Sequence, residues 1–270
     1  MKRYPHASSP LTRHYGLLAV VTLCLITSLF FLCRLDGDIT AFLYRPGSRV
    51  SDLTVTFWPN IRYIQETWRT HGEIPLWRTL IFCGSPFDAD PQSGLWYPAN
   101  AAFAILPTAV GFNVLFVAHV AWAGLGMWTW SRATGTSAGG SLLAALAYAF
   151  TPKLFAHLGF GHVGLVYAAA WVPWALWAAC RLGHGSRPHA AALGLSLGLQ
   201  LIAHPQLAFY TGLVSGGYGL TIAFSSYKSS RFATSVSRLA WLLLGALLAP
   251  GLAAVQLLPL LRLAPRPAGA

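Results

Sequence analysis

The chain has 270 residues, of which 55% are hydrophobic and only 9% are charged. Soluble globular domains carry about 25% charged residues, so this composition excludes an ordinary soluble enzyme and indicates a membrane protein. The formal net charge is +11, but the basic residues are spread between long apolar runs, and we therefore expect no nucleic acid as a partner.

The apolar runs predict an all-α, polytopic transmembrane bundle of about seven spans, because a membrane-crossing helix needs about 20 apolar residues. The predicted spans are 15–34, 109–131, 137–152, 163–181, 189–204, 207–226 and 239–260. Pro107 separates a shallow segment at 97–106 from the second span, and Pro205 predicts a turn between the fifth and the sixth. Both inferences rest on the inability of proline to continue a helical hydrogen-bond ladder.

These elements predict a single transmembrane domain over 1–270. It consists of an N-terminal segment 1–14, the first span 15–34, a long loop 35–108, the remaining spans 109–260 and a tail 261–270. The first span is too long for the core of a signal peptide, so we expect an uncleaved anchor.

Basic residues concentrate in the N-terminal segment and in alternate short loops. They are Lys2, Arg3, Arg13, Arg132, Arg181, Arg187, Lys228, Arg231 and Arg238. The positive-inside tendency therefore predicts a cytoplasmic N-terminus and an extracytoplasmic long loop.

The long loop has the composition of a segment held near lipid. It is rich in Trp and Tyr, which settle at the membrane–water interface. Phe57, Ile61, Ile64 and Trp68 recur at helical spacing, which predicts an amphipathic helix on the outer leaflet. Pro59 suits the first turn of that helix.

All the carboxylates of the chain lie in or beside this loop. They are Asp36, Asp38, Asp52, Glu66, Glu73, Asp88 and Asp90. A carboxylate is a common general base for activating a hydroxyl, so carboxylate chemistry is confined to this segment.

Short motifs in a fixed order also carry a resemblance to a known family. They are Ser51-Asp52-Leu53, Phe57-Trp58-Pro59, GEIPLW at 72–77, IFCGSPF at 81–87, DPQSGLWYPAN at 90–100, Gly161-His162, AWVPW at 170–174, HPQLAFY at 204–210 and VQLLP at 255–259. In this order, over roughly 35–262, they resemble the YfhO-type family of bacterial membrane proteins.

The resemblance implies a membrane glycosyltransferase of the GT-C type in the bacterial cytoplasmic membrane. Such an enzyme transfers sugar from a polyprenyl-phosphate-linked donor to an extracytoplasmic acceptor. The family's catalytic carboxylate corresponds by position to Asp52. This chain stops before the further spans and outer domain of the family, so we expect it to be truncated relative to the family, and it has Asp88 and Asp90 where the family more often has uncharged residues.

The residues are compatible with that chemistry. Asp52 would take the proton of the acceptor hydroxyl, and the phosphate leaving group needs cationic or hydrogen-bonding partners. The candidates for donor phosphate and lipid binding are Lys153, His157, His162, His204 and Arg62.

Each candidate has a structural alternative. Asp52 is equally suited, with Ser51, to capping a short helix. Lys153 is placed to extend to the interface without binding a ligand. The histidines are placed to be solvated, or, for His204, to cap backbone groups at its turn.

Three amides and two carboxylates complete the candidates. Gln92, Asn100 and Gln206 suit sugar hydroxyls, with backbone capping as the alternative for Gln92 and Asn100. Asp88 and Asp90 suggest a divalent cation, but two acids in a polar turn are as readily explained by solvation. We therefore predict no required cofactor.

Two other functions stay open. A transporter or flippase-like protein for a lipid-linked or anionic substrate would need polar residues deep in the spans, and the sequence has few: Asn113, His119, Gln200 and Gln256. His119 is more simply explained by a hydrogen bond to a neighbouring helix. The third possibility is a non-catalytic, truncated remnant of a glycosyltransferase.

Overall fold

A computed structural model describes residues 10–42, 50–79, 81, 83–225 and 232–263, without the side chains at 10–14, 17 and 232–234. The described chain is mostly helical, as the sequence predicts. Its helices are α1 Pro10–Arg34, α2 Trp58–His71, α3 Thr108–Ala133, α4 Ala138–Ala149, α5 Pro152–Phe160, α6 Val163–Gly183, α7 His189–Ala203, α8 Pro205–Ser225, α9 Phe232–Leu252 and α10 Ala254–Leu263. A π-helix at Leu53–Phe57, a 3-10 helix at Pro98–Ala104 and two short strands, β1 Trp77–Arg78 and β2 Ser85–Pro86, lie in the long loop.

Five helices of the described residues are long and apolar enough to cross a membrane. They are Thr108–Ala133, Ala138–Phe160 (α4 and α5 taken together), Val163–Gly183, Pro205–Ser225 and Ser235–Leu252. Two more of the predicted spans coincide with shorter apolar helices, Leu18–Arg34 and His189–Ala203. A helical membrane protein is therefore supported, while the count of seven spans stays a prediction.

The prolines divide the chain largely where the sequence predicts. Pro107 immediately precedes α3, and Pro205 begins α8 with only His204 between it and the end of α7. The predicted third span, 137–152, ends where α4 gives way to α5, because Pro152 begins a new helix. One further break was not predicted: helix α9 ends inside the predicted seventh span, at Leu252, two residues after Pro250.

Helix α6 lies at the centre of the bundle. It packs against α3, α7 and α8, and α7 in turn packs against α9. The core has two parts. An aromatic cluster that includes Phe112, Phe116 and Tyr167 lies towards the long loop, and an alanine- and leucine-rich cluster that includes Ala178 and Leu193 lies towards the other end of α6.

The long loop is folded onto the bundle by buried amides. Gln65 Nε2 donates to the carbonyls of Phe103 and Leu106 at 2.8 and 3.0 Å, and the Thr108 hydroxyl donates to Gln65 Oε1 at 2.6 Å. Together these contacts join α2 to the start of α3. Both the nitrogen and the oxygen of the Gln65 amide have hydrogen-bond partners, so these contacts fix the position of the loop without leaving a buried polar group unpaired.

The apolar residues of the predicted amphipathic helix pack only partly against the rest of the protein. Ile61 is buried and Ile64 half-buried, whereas Trp68 is exposed. Pro59 lies in the first turn, as predicted. The position of this helix on the outer leaflet stays a prediction.

Among the described residues, acidic side chains occur at one end of the bundle only, whereas basic side chains occur at both ends. The described acidic residues lie at the end that carries the long loop, together with the α5–α6 and α7–α8 turns. Arg132, Arg181, Arg187 and Arg238 lie at the opposite end. The predicted cytoplasmic residues Lys2, Arg3, Lys228 and Arg231, and the tail 264–270, lie outside the described residues.

Candidate functional site

Asp52 lies at the N-cap position of the π-helix, but its carboxylate does not cap that helix. Its Oδ2 lies 3.4 Å from His162 Nε2, and the Asp52 side chain is 50% exposed. The hydroxyl of Ser51 is buried and has no hydrogen-bond partner within the described residues. The capping alternative therefore does not describe either side chain.

The backbone around Asp52 is held by short-range hydrogen bonds. The Ser51 N–H donates to Thr54 Oγ1 at 3.1 Å, and the Thr54 hydroxyl donates back to the Ser51 carbonyl at 2.9 Å. The next residue, Leu53, is 1% exposed and packs in the aromatic cluster. The buried side chain of Leu53 fixes the backbone next to Asp52, while the Asp52 carboxylate itself stays accessible to solvent.

Gly161 allows this segment to approach the α5–α6 turn. Its φ is +78°, a left-handed conformation that favours glycine. A Cβ at this position would overlap the Leu53 backbone nitrogen. The close approach of Gly161 to Leu53 places the neighbouring residues, Asp52 and His162, within reach of each other.

His162 and His157 extend the contact made by Asp52. Their Nδ1 atoms lie 2.8 Å apart, so one ring must donate a proton to the other. With Nε2 of His162 facing Asp52, the three groups form a continuous row of carboxylate, imidazole and imidazole. We call Asp52, His162 and His157 the Asp–His–His row.

The row leads to a cavity of about 880 Å³ between α4, α5, α6 and α8. Its polar end holds Lys153, His157, His204 and Gln206, all predicted from the sequence, together with Tyr148, Thr151 and Tyr210, which were not. The rest of the lining is apolar and includes Ala144, Leu165 and Val172. The cavity thus combines cationic or ionisable groups with a hydrocarbon-like wall.

His204 caps a helix and also lines the cavity. Its Nδ1 accepts a hydrogen bond from the Leu207 N–H at 3.2 Å, which caps the start of α8. Its ring also lines the cavity. Burial lowers the pKa of His204, and the nearby His162 ring lowers this pKa further.

The remaining predicted binding residues lie away from this cavity. Arg62 is exposed and does not line it. Gln92 is exposed, and its backbone accepts a hydrogen bond from Asn60. Asn100 Nδ2 donates to the Gly94 carbonyl at 2.7 Å, so this amide supports a turn; it borders a separate apolar groove of about 380 Å³ beside α2.

Asp90 is occupied by protein contacts. Its carboxylate lies 3.6 Å from Arg78 and accepts from the Gln92 N–H at 2.8 Å. No group of three metal-binding side chains occurs among the residues that the structure describes. The arrangement therefore gives the cation hypothesis for Asp88 and Asp90 no support.

A second group of polar side chains, not predicted as a site, lies beside α3 and α6. Tyr97 hydroxyl lies 2.7 Å from His119 Nε2 and accepts from Trp171 Nε1 at 3.0 Å, while His119 stacks on Tyr167 at 4.0 Å. The expected hydrogen bond of His119 is thus present, although its partner is in the loop, at the start of the 3-10 helix. An isolated histidine in an apolar span indicated from the sequence that His119 has a polar partner. The sequence did not indicate that this partner is Tyr97.

In comparisons with protein-family models, curated proteins and solved structures, no match to this chain was found. The likeness to the YfhO-type family therefore rests on the motifs alone.

Proposed function

We propose that this chain is a membrane glycosyltransferase that uses a polyprenyl-phosphate-linked sugar donor and an extracytoplasmic acceptor. The observation that carries the proposal is the Asp52–His162 contact of 3.4 Å, linked through His157 to a large and mostly apolar cavity. Asp52 is the proposed general base, and Lys153, His157 and His204 are the proposed phosphate partners.

In the proposed reaction, the acceptor hydroxyl attacks the anomeric carbon as Asp52 accepts its proton. A new C–O bond forms to the acceptor, and the bond from the anomeric carbon to the phosphate oxygen breaks. The polyprenyl phosphate leaves with the electron pair, so its negative charge grows in the transition state. In this proposal Lys153 and the cavity histidines stabilise that charge, and His162 orients Asp52.

The lining of the cavity suits a lipid carrier better than a soluble donor. A nucleotide would need many polar partners, whereas about half of the lining residues of this cavity are alanine, leucine, valine or methionine. Phosphate beside Lys153 and His157 would leave the isoprenoid chain against the apolar wall. The burial of a hydrocarbon chain there contributes about 0.8 kcal/mol for each CH₂ group.

The polar residues expected of a transporter are mostly tied to structural contacts. Asn113 Nδ2 donates to the carbonyls of Ile39 and Ala41, and Gln256 Nε2 donates to Ile202. Gln200 alone is fully buried with neither amide atom bonded among the described residues. A single such amide gives the transporter alternative little support.

The test is sugar transfer in membranes supplied with a polyprenyl-phosphate-linked donor. We expect Asp52→Asn to lower transfer by about 100-fold or more, because the amide cannot accept the proton. Asp88→Asn is the matched control, since Asp88 is a carboxylate of the same loop whose backbone contacts Leu76 and Trp96 rather than the Asp–His–His row. Equal transfer by wild type and Asp52→Asn rejects Asp52 as the base, and no transfer by folded wild type rejects the proposed function.

A further inference from the structure

A second polar pocket lies at the other end of α6, far from Asp52. It has a volume of about 260 Å³ and lies where the end of α6, the α6–α7 turn and the second turn of α9 meet. Its polar lining consists of His184, Arg187, Ser237 and Arg238, with Trp241 at one side. Neither the family resemblance nor the proposed transfer reaction uses these residues.

The guanidinium of Arg238 is the central feature of this pocket. Its Nε and one Nη are buried and have no hydrogen-bond partner among the described residues. Its Nε lies beside Gly185, at 3.6 Å from where a Cβ would stand. A buried guanidinium with unsatisfied donors is costly unless an anion or another acceptor completes it.

No carboxylate of the described chain fills this role. The sequence has no acidic residue after Asp90, and the described acidic residues lie at the opposite end of the bundle. Further positive charge lies nearby instead. Arg187 sits over the Trp241 ring at 5.9 Å, and burial lowers the pKa of His184, with the charges of Arg238 and Arg181 adding to the effect.

We propose that this pocket binds a phosphate group, with Arg238 as the principal donor and Arg187, His184 and Ser237 as further partners. A guanidinium fork matches phosphate oxygens in a two-bond geometry. The chemistry is shared by an anionic lipid headgroup and by inorganic phosphate.

The position of the pocket favours the lipid headgroup. Helix α6 has 21 residues, so at about 1.5 Å per residue it is about 30 Å long, the thickness of the bilayer's hydrocarbon core. With Asp52 and His162 at one end of α6, the pocket falls at the opposite membrane surface. Trp241 has the side chain typical of that interface.

The experiment uses the full chain in a neutral maltoside detergent with two separate probes. Phosphatidylglycerol binding is measured by native mass spectrometry, and inorganic phosphate binding by equilibrium dialysis with labelled phosphate. We expect at least one probe to bind, and Arg238→Gln to weaken its binding about tenfold or more. Binding of the lipid alone identifies a headgroup site, whereas binding of inorganic phosphate as well identifies a general phosphate site.

Arg132→Gln is the matched control. Arg132 is an arginine at the same end of the bundle whose guanidinium already donates to the Thr136 carbonyl. Its replacement is expected to change binding by less than about twofold. The proposal is overturned if neither probe binds wild type, or if Arg132→Gln loses as much binding as Arg238→Gln.

Arg187→Gln keeps the proposal testable if Arg238→Gln does not fold. Arg187 is exposed at the pocket rim, so its loss should leave folding intact while weakening the same probe. Unchanged binding in a folded Arg187→Gln protein, together with an unfolded Arg238→Gln protein, would identify Arg238 as a structural residue and overturn the proposal.

Discussion

The imidazole ring of His162 lies beside the half-exposed carboxylate of Asp52 and can hold it in one orientation. His162 is partly exposed as well, and its other nitrogen is engaged by His157. If Asp52 is the base of the proposed reaction, this row offers a path for the proton to leave it, because each imidazole has two ring nitrogens that can carry a proton. The proposed role of Asp52 therefore depends on two residues as well as on its own acidity.

The lowered pKa of His204 predicts a measurable pH dependence of stability. Because burial lowers the folded-state pKa below the ordinary value of about 6.5, the unfolded chain binds a proton at higher pH than the folded chain. The contribution of His204 to stability is therefore fully present above about pH 6.5 and is lost as pH falls through the folded-state pKa. We expect His204→Asn, whose side-chain oxygen can still accept from Leu207, to lose less stability on acidification than wild type.

The measurement is the thermal unfolding midpoint of the full chain in detergent, from neutral to mildly acidic pH. His71→Asn is the control, since His71 is an exposed residue of α2. A wild-type acid sensitivity that persists unchanged in His204→Asn would contradict the prediction.

At the level of elements, the site depends on the turn between α5 and α6. Helix α5 ends at a left-handed glycine, Gly161, and α6 begins two residues later with His162 as its N-cap. The turn therefore holds His157 and His162 together and meets the segment that carries Asp52. Because Gly161 lies directly against Leu53, a small change in the turn is expected to move the whole row.

We predict that Gly161→Ala separates Asp52 from His162. The left-handed conformation costs alanine about 1–2 kcal/mol, and the close Leu53 backbone adds a further overpacking cost of about 1–3 kcal/mol. Gly135→Ala is the matched control, since Gly135 has φ +93° and an added Cβ there would meet no other atom within 4 Å. Its loss of stability should be limited to the conformational cost.

Thermal unfolding and sugar transfer distinguish the two variants. Gly161→Ala should unfold at a lower temperature than Gly135→Ala and lose transfer, whereas Gly135→Ala should keep transfer. Similar behaviour of both variants would show that the contact with Leu53 does not position Asp52.

At the level of the whole molecule, the two ends of the bundle carry different chemistry. One end holds the carboxylates, the Asp–His–His row and the large cavity, and the other holds the arginine pocket around Arg238. Helix α6 connects them across a distance close to the thickness of a bilayer. This separation suits a protein that reacts at one membrane surface and is anchored by phosphate at the other.

The predicted orientation can be tested by cysteine labelling. In a background with Cys24, Cys33 and Cys180 replaced by alanine, the exposed Cys83 should react with an impermeant maleimide in intact cells. Gly139→Cys in a chain that also lacks Cys83 should react only after permeabilisation, because the start of α4 lies at the opposite end. Gly139 is exposed, with open space around it.

Labelling of Gly139→Cys in intact cells, with protection of Cys83, would reverse the orientation inferred from the positive charges. Labelling of both sites in intact cells would contradict the assignment of the two ends to opposite membrane surfaces.

The sequence by itself determined the class of the fold and most helix boundaries. An uninterrupted apolar run is a local property of the sequence, and so is the effect of Pro107 and Pro205 on a helix. Both can therefore be predicted without knowledge of any tertiary contact. The small number of ionisable residues in a mostly uncharged chain made Lys153, His157, His162 and His204 candidates, whereas Asp52 became the candidate base through the resemblance to the YfhO-type family. The sequence around each of these residues did not show which of them would be in contact in the folded protein.

Only the tertiary structure decided which candidates belong together. The Asp52–His162 contact joins residues from two distant segments, and it depends on Gly161 fitting against Leu53. The same packing left Arg62 and Gln92 outside the cavity and brought Tyr148 and Tyr210 into its lining. The pocket around Arg238 likewise forms where the end of α6, the α6–α7 turn and α9 meet. The order of residues along the chain does not specify the distances between their charges, so this pocket could not be predicted from the sequence.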